Sequence, residues 1–190
     1  MAAILLAAGS AKRFGSQKLL ARLPDGRYVV EAAAKNLLAG AGSVLAVTGA
    51  DVQLKRVLEN CGCQVVVNAD AEKGMGTSIA AGLQASSGAA GWLIALGDMP
   101  YVRPDTIVSI LNALNDDNGI VIPTFDGLRG HPVAFAGGFG DELMALQGDH
   151  GARIVVAAHP DRIRLLPVDD AGVLADIDTP DDLEKDFPHY

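Results

Sequence analysis

Residues 92–98 read WLIALGD, an unbroken run of five apolar residues followed by glycine and aspartate. A strand exposed on one face would alternate apolar and polar residues, so this run predicts a strand covered on both faces, as in a parallel sheet. Similar strands are predicted at residues 2–7, 43–48 and 64–67. Helical patterns lie between and after them, at residues 29–39, 52–60, 77–85 and 104–114. The alternation predicts an α/β fold, a Rossmann-like three-layer domain with a mostly parallel sheet.

The second half of the chain departs from this alternation between residues 124 and 140. This stretch is rich in glycine, and β-type runs occur at residues 119–123 and 132–135. We expect an antiparallel excursion of the sheet or an active-site flap there. Beyond it, the patterns predict short helices at 141–146, 151–158 and 181–186 and a strand at 163–167. No linker divides the chain, so residues 1–190 are predicted to form a single domain.

The composition narrows the classes of partner. The 190 residues carry 15 Lys and Arg against 23 Asp and Glu, a formal net charge of −8. Such a surface repels nucleic acid and anionic lipid, so neither is an expected partner. No apolar run approaches the roughly 20 residues of a membrane span, and the N-terminus reads as a buried strand rather than a signal peptide. With Cys61 and Cys63 interpreted as reduced thiols, we expect a cytoplasmic protein.

The loop after the first strand has the features of an anion site. Small residues and Gly9 leave backbone N–H groups accessible, and Lys12, Arg13 and Lys18 place three cations within seven residues. Such a loop can wrap a phosphate group in an otherwise acidic protein. Its glycine spacing matches neither the Walker A loop nor the dinucleotide-binding fingerprint. The alternative is a solvated loop with incidental charge.

Further candidate residues follow other predicted strands, at the sheet edge where ligands of open α/β folds bind. Asp98 ends the strand at 92–96, and a carboxylate there is costly to bury without a cation, so it is a candidate Mg²⁺ ligand. The alternative is a turn residue near the next helix. Residues 74–78 read either as part of a nucleotide pocket or as a helix entry capped by Ser and Thr. Arg129 and His131 add polar groups, although a lone histidine beside a strand is more often structural.

A pair of carboxylates precedes the last predicted helix. In an extended segment Asp176 and Asp178 point to the same side and Ile177 points into the interior. One carboxylate can be a helix cap and the other a second metal ligand. Thr179 and Pro180 fit the N-cap and the first position of that helix.

Six segments, in this order, resemble the MobA-like nucleotidyltransferases, and among them the molybdenum cofactor cytidylyltransferase branch. The resemblance covers about residues 3–184. The segments are LAAGSAKRFGSQK at 6–18, GMGTSIAAGL at 74–83, LGDMP at 96–100, RGHPVAF at 129–135, GDHGAR at 148–153 and DIDTPDDL at 176–183.

The resemblance implies Mg²⁺-dependent transfer of a nucleoside monophosphate from an NTP to the phosphate of molybdopterin, with release of pyrophosphate. Ala8, where guanylyl-transferring relatives usually have Gly, implies CTP, and a molybdoenzyme would receive the product. The implied catalytic residues are Arg13, Lys18 and Asp98, and the implied metal ligands are Asp98 and Asp178. Nucleotide contacts are implied for Leu6, Ala7, Ala8, Gly9, Arg13, Lys18, Gly74, Met75 and Ser78, and acceptor contacts for Arg129, His131 and Asp176.

Two alternatives stay open at this point. Cytidylyl-transferring members often have Asn where His131 stands, so the acceptor could be another phosphorylated molecule, such as a sugar phosphate, a phospholactate or a methylerythritol phosphate. The second alternative is a non-catalytic module that delivers a cofactor to a molybdoenzyme. Both Lys18 and Asp98 are present, which favours an enzyme. An acceptor phosphate is already ionised near neutral pH, so the reaction needs charge neutralisation and positioning rather than a strong base.

Overall fold

A single mixed sheet organises the protein, whose computed structural model describes residues 1–9, 17–115 and 119–184. In these ranges the sheet has eight strands in the order β3-β2-β1-β4-β7-β5-β6, with β8 paired to β5. The strands are β1 (Ala2–Ala7), β2 (Val44–Thr48), β3 (Gln64–Val67), β4 (Gly91–Leu96), β5 (Ile120–Phe125), β6 (Leu128–Arg129), β7 (Val133–Ala136) and β8 (Ile163–Pro167).

Helices cover both faces of the sheet and make three layers. They are α1 (Val29–Ala41), α2 (Val52–Asn60), α3 (Met75–Ala85), α4 (Pro104–Ala113), α5 (Gly140–Met144) and α6 (Arg153–Ala158). Successive residues of a strand face opposite sides, so Leu5 belongs to the core cluster on the face covered by α1, α2 and α4, while Ile4 belongs to the cluster on the face covered by α3, α5 and α6. Both side chains are buried. The unbroken apolar strands therefore reflect burial on two faces, and the predicted three-layer α/β fold is confirmed.

The parallel half of the sheet fixes the edge that carries the candidate residues. Strand β1 lies between β2 and β4 and is parallel to both, and β3 continues the sheet beyond β2. The carboxyl ends of these four strands therefore meet at one edge. The loops after β1 and β4 are neighbours there, since Gly97 N donates to Leu6 O at 2.9 Å.

The antiparallel excursion predicted between residues 124 and 140 is confirmed. Strand β7 lies between β4 and β5 and is antiparallel to both. A hairpin joins β5 to the short strand β6, through Asp126 and Gly127 with φ of 50° and 78°. Two successive residues with positive φ are typical of a tight hairpin turn. The pattern did not anticipate β6, but it did predict β8, which pairs parallel with β5.

Two predicted helix starts are wrong in detail. Helix α3 begins at Met75, and Gly74, with φ of 115°, caps it without a side-chain hydrogen bond. The Thr77 hydroxyl instead lies 2.9 Å from the Gly74 carbonyl oxygen, so it does not cap the helix. The last element of the described ranges is a 3-10 turn, Pro180–Glu184, where an α-helix over residues 181–186 is predicted; residues 185 and 186 lie outside the described residues. In contrast, Asp51 caps α2 with its side chain, which accepts from Leu54 N at 2.9 Å.

No helix in the ranges that the structure describes is long and apolar enough to cross a membrane.

Candidate active site

A lysine that bridges two carboxylates lies at the carboxyl edge of the sheet. Lys18 Nζ is 2.8 Å from Asp98 Oδ2 and 2.9 Å from Asp178 Oδ1. The Lys18 side chain is only 16% exposed. Burial opposes its charge, but the hydrogen bonds and charges of Asp178 and Asp98 outweigh burial and raise the pKa of Lys18. Three residues that the sequence assigned to catalysis or metal binding are thus in direct contact.

The end of β4 holds Asp98 in place. A Cβ on Gly97 would lie 3.0 Å from Leu6 O, so glycine at this position allows the ends of β1 and β4 to approach closely. The backbone oxygen of Asp98 accepts from Ile177 N at 2.9 Å. This bond connects the loop after β4 to the segment that carries the other two carboxylates.

The segment around Ile177 has the predicted orientation. Ile177 is fully buried, in a small cluster with Leu23 and Val29. Asp176 and Asp178 consequently point to the opposite side, and they are close enough for a side-chain hydrogen bond. Partial burial, followed by the charge of Asp178, raises the pKa of the Asp176 carboxyl. The crowding of negative charge makes this place favourable for a cation.

A carboxylate not assigned from the sequence fixes this segment. Asp182 Oδ2 accepts hydrogen bonds from Asp178 N at 3.0 Å, Thr179 N at 2.7 Å and Thr179 Oγ1 at 2.8 Å. Thr179 directly precedes the 3-10 turn at Pro180–Glu184, the place predicted for an N-cap, and its hydroxyl donates to Asp182. Asp182, three residues on, accepts from Thr179 N, which is the reciprocal bond of a capping box. Two adjacent aspartates, Asp181 and Asp182, follow Pro180, but the sequence does not indicate which of them turns inward.

The carboxylates fit a divalent cation. Asp98 Oδ1 is buried and has no hydrogen-bond partner among the described residues. Mg²⁺ takes oxygen ligands, commonly one or two protein carboxylates, and completes its shell with phosphate oxygens and water. Asp98 and Asp178 meet that requirement. In the described ranges the structure holds no group of three or more His, Cys, Asp or Glu arranged to bind a metal by themselves, so the remaining ligands would come from substrate and water.

His131 lies close to this group. The His131–Pro132 peptide bond is cis, and His131 N donates to Val173 O at 2.9 Å. The imidazole is largely buried, which lowers its pKa, although the nearby charge of Asp98 acts in the opposite direction. Its Nδ1 is buried with no hydrogen-bond partner among the described atoms. Arg129, also expected on the acceptor side, lies on β6 and is exposed.

The residues assigned to nucleotide binding lie at the ends of β1 and β3. Leu6 and Ala7 are buried, and Gly9 is exposed with open space around its Cβ position. Ala8, between them, is half-buried, and Arg13 lies outside the described residues.

A second glycine segment begins α3. A Cβ on Gly74 would lie 2.3 Å from the backbone of Gly148, so this turn packs tightly against the GDHGAR segment. Met75 is exposed, whereas Ser78 is buried and accepts a hydrogen bond from Asn68 Nδ2 at 3.1 Å. Asn68 was not singled out from the sequence; its position directly after β3 is the available signal.

Comparison with known proteins agrees with this geometry. Residues 3–163 match the family model described as MobA-like NTP transferase domain. The chain is 31% identical over 186 residues to nicotine blue oxidoreductase of Paenarthrobacter nicotinovorans, covering 93% of this chain and 91% of that protein. It is 26% identical over 181 residues to molybdenum cofactor cytidylyltransferase of Escherichia coli K12, covering 94% and 91%.

A solved structure has the same fold. Rv0371c from Mycobacterium tuberculosis superimposes with a TM-score of 0.82 at 28% sequence identity, covering 96% of this chain and 94% of that one. A second structure of Rv0371c is described as a complex with manganese and superimposes with a TM-score of 0.79.

Proposed function

Because the chain belongs to the MobA-like NTP transferase family, we propose that it transfers a nucleoside monophosphate from CTP to the phosphate of molybdopterin and releases pyrophosphate. The observation that carries this proposal is the contact of Lys18 with both Asp98 and Asp178 at the carboxyl edge of the sheet. The arrangement joins an ammonium, which suits a triphosphate, to carboxylates, which suit Mg²⁺.

The chemistry requires little beyond charge and position. Both the triphosphate and the acceptor phosphate are anions, so the main barrier is their mutual repulsion. Mg²⁺, when bound, would neutralise phosphate oxygens and stabilise the charge that develops on the leaving pyrophosphate. Asp98 and Asp178 would hold the ion, and Lys18 and Arg13 would hold the triphosphate. An ionised acceptor phosphate needs no general base, so a neutral His131 is compatible with the reaction.

The nucleotide would lie along the ends of β1 and β3. In this proposal the backbone of residues 6–9 meets the base and phosphates, and Gly74, Met75 and Ser78 form the opposite wall. Because Ser78 is buried, it would influence the nucleotide only through Asn68, whose side chain donates a hydrogen bond to the Ser78 hydroxyl.

The acceptor would bind on the side of His131, Arg129 and Asp176. CTP and molybdopterin are the finer parts of the proposal, and the name of the E. coli relative supports them. The single domain, the cytoplasmic location and a receiving molybdoenzyme belong to the same proposal. Two alternatives must be distinguished from this proposal by experiment. They are transfer to another phosphorylated acceptor and delivery of a cofactor without catalysis.

The test is pyrophosphate release from each of the four NTPs, with molybdopterin and Mg²⁺. We expect CTP to give the highest kcat/KM. The Asp98→Ala variant should lose at least about 100-fold in turnover, the scale of one preorganised electrostatic element. Asp181→Ala, which removes an exposed carboxylate, is the control. Faster reaction with GTP would overturn the choice of base, and binding of the cofactor without pyrophosphate release would favour the delivery module.

A second comparison separates the two candidate ligands at the last segment. We propose that Asp178 binds the metal and that Asp176 faces the acceptor. Asp178→Ala should then lose about as much turnover as Asp98→Ala, while Asp176→Ala should mainly raise KM for the acceptor. If Asp176→Ala is inactive and Asp178→Ala is active, the assignment is reversed.

A further inference from the structure

Lys18 occupies the place between the two carboxylates where a cation is expected. Its ammonium contacts Asp98 and Asp178 at nearly equal distances, 2.8 and 2.9 Å. We propose that Lys18 is the cation of this site in the ligand-free protein, and that it is exchanged for the divalent metal when nucleotide binds. The inference rests on the proposed function, because it assumes that these carboxylates receive the metal.

The exchange follows from the number of acceptor oxygens. Lys18 uses one oxygen of each carboxylate, and only Asp98 Oδ1 is both buried and without a partner among the described residues. A divalent ion bound to that oxygen, or to an oxygen of Asp178, would lie a few ångströms from the ammonium, and like charges at such a distance repel strongly in a partly buried site. The metal alone should therefore bind weakly to the ligand-free protein.

Deprotonation of the lysine does not offer a way around this repulsion. The ordinary pKa of a lysine side chain lies far above 7, so the ammonium persists at neutral pH. The side chain must instead move, and the triphosphate provides an anion for it to contact. Lys18 would then leave the carboxylates to the metal and bind phosphate oxygens. Metal and nucleotide would thus favour each other's binding, and this coupling is reciprocal.

The arrangement also stabilises the empty site. Asp98 and Asp178 are close together, since both contact the same nitrogen, and without a counter-ion they would repel each other. Ile177 N and Asp182 hold the segment in position from the other side. A resident lysine offsets part of the charge of the two carboxylates without requiring any metal, so the site stays assembled before substrate arrives.

The test measures metal binding without nucleotide. Mn²⁺ is the probe, and unbound Mn²⁺ is quantified by electron paramagnetic resonance during titration of the purified full-length chain. Lys18→Met and Lys18→Gln remove the charge, and the glutamine can still donate to a carboxylate, which guards against misfolding. We expect both variants to bind Mn²⁺ at least about tenfold more tightly than the parent, since a neighbouring positive charge has been removed.

Two controls isolate the effect. Lys18→Arg keeps the charge and should bind Mn²⁺ as weakly as the parent. Lys35→Met makes the same change in net charge at an exposed helical ion pair with Glu31, and it should also leave Mn²⁺ binding unchanged. Circular dichroism establishes that each variant is folded.

The outcomes separate this inference from the proposed activity. If folded Lys18→Met and Lys18→Gln bind Mn²⁺ no more tightly than the parent, the exchange is wrong even when the parent releases pyrophosphate. If they bind more tightly while the parent transfers no nucleotide, the lysine is the resident cation of a metal site and the proposed reaction is wrong. Tightening in Lys35→Met as well would mean that the overall charge, not the contact, governs binding, and would also overturn the exchange.

Discussion

Replacing Asp182 with alanine should loosen the segment that carries Asp178. One oxygen of Asp182 accepts three hydrogen bonds, at 3.0, 2.7 and 2.8 Å, and the residue is only 9% exposed. Hydrogen bonds to a charged group contribute about 1.5–3 kcal/mol each, but three donors that share one oxygen are not additive. We therefore expect Asp182→Ala to cost about 3 kcal/mol of unfolding free energy. For a chain of this length, that corresponds to a fall of about 6–12 °C in Tm.

The same variant should change metal affinity as well as stability. Because Asp182 holds the backbone N–H of Asp178, its loss should raise the Mg²⁺ concentration that half-saturates pyrophosphate release. Asp181→Ala removes the neighbouring carboxylate, which is exposed, and serves as the control. Differential scanning calorimetry and a Mg²⁺ titration of activity are the two measurements. Equal Tm values for the two variants would refute the stability argument. A lower Tm with unchanged Mg²⁺ dependence would refute the connection to Asp178.

The remaining predictions concern the fold around the site. Gly76→Ala should lower the free energy of unfolding in urea by about 1–3 kcal/mol, because the new Cβ would lie 2.7 Å from the backbone nitrogen of Gln147. The control, Gly49→Ala, places its Cβ at an ordinary 3.8 Å contact and should unfold like the parent. The pKa of Asp51 is lowered by hydrogen bonds to its charged form, so its contribution to stability is present above pH 3.8 and is lost as the pH falls below that value. The stability difference between the parent and Asp51→Asn should accordingly shrink in acid, and a constant difference from pH 7 to 3 would contradict this. Burial raises the pKa of Cys63 to about 11, so peptide mapping after alkylation at pH 8 should find this thiol labelled far more slowly than in the unfolded chain.

The sequence was most informative where a residue's environment depends on its immediate neighbours. Alternation of direction along an extended chain is a local property, and it correctly placed Ile177 inside and the flanking carboxylates outside. The unbroken run at 92–96 identified a strand buried on two faces, and therefore located Asp98 at the carboxyl edge of a parallel sheet. Both inferences needed only the geometry of a strand and the cost of burying charge.

Long-range partners could not be read in the same way. Lys18 and Asp178 are separated by 160 positions in the chain, and their contact depends on how the final segment packs against the end of β4. The sequence likewise could not show that Asp182, rather than the adjacent Asp181, turns inward to accept from Thr179, because burial against the rest of the fold decides it. Strand β7 enters between β4 and β5 for a similar reason: strand pairing across the sheet is set by packing of the whole domain rather than by any local pattern.

The charge around the candidate site predicts that a nucleotide binds there together with its metal. The protein carries a net charge of −8, and Asp98, Asp176 and Asp178 add a local concentration of negative charge at the sheet edge. A free triphosphate that approaches this edge is repelled by the net charge of the protein and by the local carboxylates. Lys18 offsets this repulsion only in part, because its ammonium already contacts Asp98 and Asp178. A magnesium–nucleotide complex carries about two fewer negative charges and brings a cation for the carboxylates, so its approach costs less. Screening by salt weakens the repulsion between separated charges more than it weakens partly buried ion pairs. We therefore expect free nucleotide to bind more weakly than its magnesium complex. Nucleotide affinities measured with and without the metal should differ most at low ionic strength.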